Sequence, residues 1–321
     1  MKLREITIEV TQQCPNSCLY CSSLSNPSKK TFLQLGQIEK AINDAVELGT
    51  KSISLSGGEP FLHPDILRII DYIYKKGVEC YVYTSGIMMS EGKPNSIPAI
   101  KLASIKGKVT KLIVNIEAAD EVTYNTIMGT NFGGFLLMRR TVRDAISIGL
   151  NVEAHVVPMK LNLQQLPQII ALCSDLGISR VSFLRLVVQG RALANQQRIV
   201  LSDEETLFAK YLIATGAKEY KSNIRLGIPF RDCSRKINCM TGTSKLDIRY
   251  DGKVYPCEAF KNDNISNVIT VQSDSICDKS LKEIYQTSDY LIQVRQLLND
   301  FQSIDTCETC INQFYVKYGK H

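Results

Sequence analysis

The chain is 321 residues long, which exceeds one ordinary domain and predicts about two. Its 44% hydrophobic and 22% charged residues exclude a disordered chain, and MKLREITIEV has no basic-then-apolar order, so neither export nor a membrane span is expected and the cytoplasm is the expected compartment. A net charge of +6 with no dense Lys/Arg run, no Trp and scattered aromatics argues against nucleic acid and leaves an acidic small molecule or peptide as partner.

From the N-terminus to about residue 190, one unit recurs: an amphipathic helix, a glycine, then a strand rich in β-branched or aromatic residues. ELGTKSISLS, KKGVECYVYT, SIGLNVEAHVV and DLGISRVSFL place Gly49, Gly77, Gly149 and Gly177 at helix C′ positions, where a left-handed residue is needed. Strands at 5–9 and 111–116 bring the number of βα units to six, and 87–110 form a longer Gly-, Pro- and Ser-rich excursion with one short helix. Such alternation predicts parallel strands joined by helical crossovers. Six units are too few to close an eight-stranded barrel, so the fold class is α/β: a partial (β/α)6 TIM-like barrel, open at one side. The barrel is expected to occupy 1–190. A connecting helical region follows over 191–232, with a capping box at Ser202 and Glu205. Short strands and turns in KLDIRYDGKVYPC, then a helix from about 280 to 298, predict a small α+β cluster-binding domain over 233–321.

Eleven cysteines in a chain from a reducing compartment read as metal ligands rather than disulfides, and six of them fall between Cys233 and Cys310. The sharpest pattern is CPNSCLYC, which sets Cys14, Cys18 and Cys21 at a C-x3-C-x2-C spacing just after the first strand. Three thiolates on so short a loop can hold three irons of a [4Fe-4S] cube and leave the fourth without a protein ligand. An open coordination position is what separates a reacting metal site from a closed structural one. Other candidate segments also follow strand C-termini, where βα barrels place their sites. They are Gly57, Gly58, Glu59 and Pro60 after strand two, Thr84 and Ser85 after strand three, and Asn115 and Glu117 at the end of strand four.

With an aromatic residue, Tyr20, just before the third cysteine, this loop resembles the signature of the radical S-adenosylmethionine (SAM) superfamily. The resemblance implies a [4Fe-4S] cluster that delivers one electron to bound SAM, a 5'-deoxyadenosyl radical, and hydrogen abstraction from substrate. SGGEP, one βα unit later, resembles the family segment that meets the SAM amino group, a role carried here by Glu59. VNIEAADEVTYNTIMG is similar to the family's fourth-strand segment, where a Ser and an Asp are usual. Here Asn115 and Glu117 stand in their place, both able to bond ribose hydroxyls. Arg185, expected on strand six in FLRLVVQGRA, is expected to meet the SAM carboxylate or the substrate, or else to lie on the surface.

Cys239, Gly252 and Cys257 are spaced C-x12-G-x4-C, and Cys307 and Cys310 form a C-x2-C after a helix. This resembles the SPASM/twitch extension of radical SAM enzymes and implies a second [4Fe-4S] cluster, coordinatively closed by these four thiolates. INQFYVKYGKH holds no further cysteine, which matches the shorter twitch form with one auxiliary cluster. A zinc ribbon could use the same four ligands. Cys233 either replaces one of them or stays free as a hydrogen-atom donor. Cys80, Cys173 and His155 read as packed, His63 as a neighbour of the site, and Cys277 as lacking a partner.

Most proteins with this extension mature ribosomally made peptides, by crosslinking or by inverting residues, and that substrate class leads. A dehydrogenase of small-molecule alcohols, such as an aminocyclitol, is the alternative; the start at strand one, without a leader-peptide recognition domain, weakens the peptide reading without excluding it. A zinc- or iron-sulfur-bearing binding module is the non-enzymatic alternative. The expected electron donor is a flavodoxin or ferredoxin.

Overall fold

The computed structural model describes residues 2–227, 230, 240–262 and 269–301. In chain order the elements are β1 (Glu5–Thr11), α1 (Leu35–Glu47), β2 (Ser52–Gly57), α2 (Ile66–Lys75), β3 (Glu79–Thr84), β4 (Ile87–Ser90), β5 (Lys93–Ser96), α3 (Ala99–Ile105), β6 (Lys111–Asn115), α4 (Glu121–Met128) and α5 (Gly134–Ile148). There follow β7 (Val152–Val156), α6 (Leu166–Asp175), β8 (Arg180–Phe183), α7 (Arg191–Ala194), α8 (Gln196–Ile199), α9 (Asp203–Glu219), β9 (Ile224–Leu226), β10 (Lys245–Ile248), β11 (Val254–Tyr255), α10 (Leu281–Thr287) and α11 (Asp289–Phe301). None of these helices is long and apolar enough to cross a membrane.

The six strands expected from the repeat, β1, β2, β3, β6, β7 and β8, lie side by side and parallel, and among the described residues the sheet does not close. β9 extends it beyond β8, and β10 with β11 extend it beyond β1. β10, from the segment expected to open a separate domain, runs parallel to β1 with Thr7 opposite Asp247, so this segment continues the barrel's own sheet. The excursion at 87–110 contains the antiparallel hairpin β4–β5 as well as the expected short helix. The helix expected over 280–298 is two, because Ser288 leaves helical geometry at φ −63°, ψ 119°. The Ser202 capping box forms as read.

Strand side chains alternate between the two faces of a sheet. The face toward the helices is apolar: Ile6, Ile8 and Val10 on β1, Ile53 and Leu55 on β2, and Val82 on β3 form one buried core with Ile38 and Ile42 of α1 and with Ile69, Ile70 and Ile73 of α2. Cys80 and Cys173 belong to the same core, each fully buried. The inner face is different. Adjacent parallel strands bring Asn115, His155, Ser182 and Arg225 into one rung, and Tyr83, Ile113, Glu153 and Arg180 into the rung below. Eight-stranded barrels fill this space with layers of branched apolar side chains. Here Tyr83, Asn115, His155 and Arg225 line a cavity of about 550 Å³ instead.

Glycines decide where the loop at 14–21 can lie. A Cβ on Gly58 would stand 2.1 Å from the Gln13 carbonyl oxygen, one on Gly129 2.4 Å from that of Ser17, and one on Gly190 2.6 Å from that of Cys21. A Cβ on Gly57 would meet the Thr11 carbonyl at 2.3 Å. Paired Gly57 and Gly58 thus make room for the chain leaving β1, with Gly58 N–H donating to Thr11 O at 2.6 Å and Glu59 N–H to Gln13 O at 2.8 Å. Gly77 is a contrast, at φ +69° with nothing within 4 Å of its Cβ position. Gly77→Ala should cost about 1 kcal/mol from left-handed strain alone. Gly58→Ala should cost about 2–4 kcal/mol, because backbone must move. Urea denaturation of the two variants checks this, and equal losses would contradict it.

Candidate active site

The loop at 14–21 is held from three sides. The last carbonyls of α4, which a helix leaves without internal partners, accept from Leu19 N–H (Ile127 O, 2.8 Å) and Ser17 N–H (Met128 O, 3.1 Å). Arg191 donates from Nε to Cys18 O at 2.7 Å and from Nη2 to Ser25 O at 2.7 Å, while its N–H reaches Cys21 O at 3.1 Å. Asn195 Nδ2 donates to Leu19 O at 3.2 Å. From the chain beyond β10, Tyr250 meets Gln12 Nε2 at 2.8 Å, and Asn262 Nδ2 donates to Ser22 O at 2.7 Å. The buried Lys261 ammonium pairs with Glu9 on β1 and fastens the same segment to the barrel floor.

So held, Cys14, Cys18 and Cys21 all face the cavity, and so do Tyr20, Gly57, Gly58, Thr84, Ser85, Asn115 and Arg185. Burial first, and then the neighbouring Cys18 and Glu59, push the Cys14 thiol well up; burial and then Cys21 do the same to Cys18. Thiols that resist ionisation, gathered at one cavity, match a positively charged partner that stabilises the thiolates together. Three cysteine thiols lining one cavity are the donor set that a [4Fe-4S] cluster takes.

Glu59 and Glu117 stand behind the cavity wall, each fully buried. Glu59 Oε2 accepts from Ser85 N–H (2.8 Å) and Oγ (2.6 Å), and Oε1 accepts from Thr84 Oγ1 (2.7 Å) and Phe61 N–H (3.3 Å). The carboxylate expected to take an ammonium is therefore saturated by the ends of β2 and β3, and it aims Thr84 and Ser85. Pro60, at the start of a 3-10 turn, is buried with it. Glu117 Oε1 accepts from Tyr20 Oη at 2.7 Å and Asn115 Nδ2 at 3.2 Å, and Oε2 from Val157 N–H at 2.8 Å. Its two lumen partners, rather than Glu117 itself, reach the cavity. Arg185 lies two residues beyond β8 rather than on it.

His155, read as packed, lines the cavity edge-on to Tyr83 at 5.2 Å between ring centroids. Burial and then Arg225 push it down to about 3, so the ring is neutral. His63 is not at the cavity: its Nδ1 accepts from Asp65 N–H and its Nε2 meets Leu33 O. Arg191, Gly129 and Gly190 escaped the sequence reading, since their partners lie far along the chain, and Asn16 escaped it because a lone loop amide carries no local signal. On the auxiliary side, Cys257 is buried at 8% exposure. Gly252 sits at φ +86°, where a Cβ would meet Cys277 Sγ at 2.7 Å. Cys277 Sγ accepts from Gln37 Nε2 at 3.2 Å. Cys233, Cys239, Cys307 and Cys310 lie outside the described residues.

A family model described as the radical SAM superfamily matches residues 8–173, more than half of the chain. The chain belongs to the radical SAM superfamily. A second model, an iron-sulfur cluster-binding SPASM domain, matches residues 239–311. The chain is 26% identical over 282 residues to a PqqA peptide cyclase of Ruegeria pomeroyi, covering 86% of this chain and 72% of the relative. It is 23% identical over 309 residues to that of Gluconobacter oxydans, covering 94% and 81%. Among solved structures, Streptococcus suis SuiB bound to precursor peptide SuiA superposes with TM-score 0.73 at 15% identity, over 92% of this chain and 67% of that one, a likeness of fold.

Burial raises the Glu117 carboxyl to about 7 in spite of its hydrogen bonds from Tyr20, Val157 and Asn115. With the folded value above the ordinary 4.5, the unfolded chain ionises first as pH rises, so this group removes stability between those two values and adds no further slope above the upper one. Glu117→Gln should therefore gain on the parent between about pH 5 and about pH 7 and run parallel to it above. Thermal melts across that range check this, and a pH-independent difference would contradict it.

Proposed function

We propose that this radical SAM enzyme matures a ribosomally made peptide by oxidative crosslinking or epimerisation. The observation that carries the reading is the match with PqqA peptide cyclases along nearly the whole chain, barrel and C-terminal segment together. Likeness of fold to SuiB, seen with its precursor peptide, agrees with it, and both favour a peptide over a small alcohol.

Cys14, Cys18 and Cys21 would hold the cluster that, with SAM on its open iron, supplies a 5'-deoxyadenosyl radical for hydrogen abstraction. Gly57 and Gly58 leave backbone atoms at the cavity wall, and Thr84 and Ser85, aimed by Glu59, offer polar groups to the methionine end. Tyr20 and Asn115, positioned by Glu117, face the ribose, and Arg185 takes a carboxylate of SAM or substrate. Cys239, Cys257, Cys307 and Cys310 would bind the auxiliary [4Fe-4S] cluster, and Cys233 would add a ligand or a hydrogen donor. Barrel 1–190, connection 191–232 and cluster unit 233–321 remain the working division, with β10 joining the first to the last. So many cysteines, read as ligands rather than disulfides, suit the reducing cytoplasm, with a flavodoxin or ferredoxin as donor.

The test is anaerobic incubation of reconstituted enzyme with SAM, reductant and a short peptide encoded beside its gene. The expected products are 5'-deoxyadenosine and a peptide changed in mass or stereochemistry, with both lost in Cys14→Ala. Equal deoxyadenosine from that variant, or oxidation of an aminocyclitol in place of the peptide, would contradict the reading.

A further inference from the structure

Asn16 lies midway between Cys14 and Cys18, is fully buried, and lines the same cavity. Neither its Oδ1 nor its Nδ2 has a hydrogen-bond partner, and no other buried side-chain amide among the described residues lacks partners on both atoms. The main chain around it is satisfied: Cys14 N–H donates to Asn26 O at 3.2 Å, Ser17 N–H to Met128 O, and Asn16's own N–H to the Cys14 sulfur. An unpaired buried polar group costs about 1–3 kcal/mol, and its neighbours offer the amide nothing. Asn16 lines the same cavity as the three thiols, and among the described residues no protein group answers its amide.

From this orphaned amide we infer that Asn16 is a cofactor-tuning residue, whose Nδ2 donates a hydrogen bond to a sulfur of the cluster held by Cys14, Cys18 and Cys21. The inference rests on the reading of that loop as the cluster's seat. Hydrogen bonds to sulfur stabilise the more negative, reduced cluster and so raise its reduction potential. Asn16 would thereby make the first cluster easier to reduce by the cell's donor.

The experiment is a redox titration, followed by electron paramagnetic resonance, of the reconstituted full chain and Asn16→Leu, both without SAM. The first cluster's signal is identified as the one that changes when SAM is added afterwards. Asn16→Leu is nearly isosteric and carries no donor, so its cluster should be reduced only at more negative potential. If Asn16→Leu fails to load iron, Asn16→Ala removes the same amide without bulk, and Asn16→Ser, which restores a donor, should recover part of the shift. Unchanged potential in loaded variants would overturn the inference, as would a difference that exists only with SAM bound, which would assign the amide to SAM. Absence of any SAM-sensitive cluster in the parent chain would instead overturn the reading of the loop.

Discussion

Close backbone approach governs this structure. The chain leaving β1 turns back over the sheet, and Gly57, Gly58, Gly129 and Gly190 meet it as bare backbone, each where a Cβ would fall within 2.6 Å of a carbonyl oxygen. Only then do α4's end carbonyls and Arg191 reach the loop's main chain and fix it at the barrel mouth. The thiols' position is thus set by main-chain contacts, independent of what the sulfurs bind.

Beneath that loop the barrel departs from the packed interior of larger relatives of the fold. Polar rungs, with Asn115, His155, Ser182 and Arg225 at one level, leave a lumen that can admit a charged nucleotide and part of a substrate. Two buried carboxylates organise its wall without entering it. Glu59 gathers Thr84 and Ser85; Glu117 gathers Tyr20 and Asn115. Both are surrounded by neutral donors rather than cations, and burial raises both pKa values. They act as hydrogen-bond hubs that order the side chains in contact with the cavity.

The alternating helix, glycine and strand pattern made the six parallel strands legible, because each Gly at a C′ position and each β-branched run is a local signal. The three thiols were legible from their spacing alone. What stayed hidden was non-local. Nothing near Gly129 or Gly190 in the chain announces that the loop at 14–21 will cross them, and GG before Glu59 looks the same whether it admits a ligand or a neighbouring strand. Glu59 and Glu117 were read as ligand-facing because a carboxylate's direction depends on donors supplied by other strands. β10 joined β1 against expectation, since four residues of KLDI carry no sign of their partner. His155 is buried, as its alternation implies, and what alternation did not reveal is that it also borders the cavity.

The account's central claim is that the cluster on this loop keeps one iron open for SAM. Electron-nuclear double resonance of the reduced full chain with SAM carrying nitrogen-15 in its amino group tests it most directly. The account predicts a nitrogen-15 hyperfine coupling to the cluster, showing the amino group bound to iron. A cluster signal without that coupling, and unchanged by SAM, would contradict it.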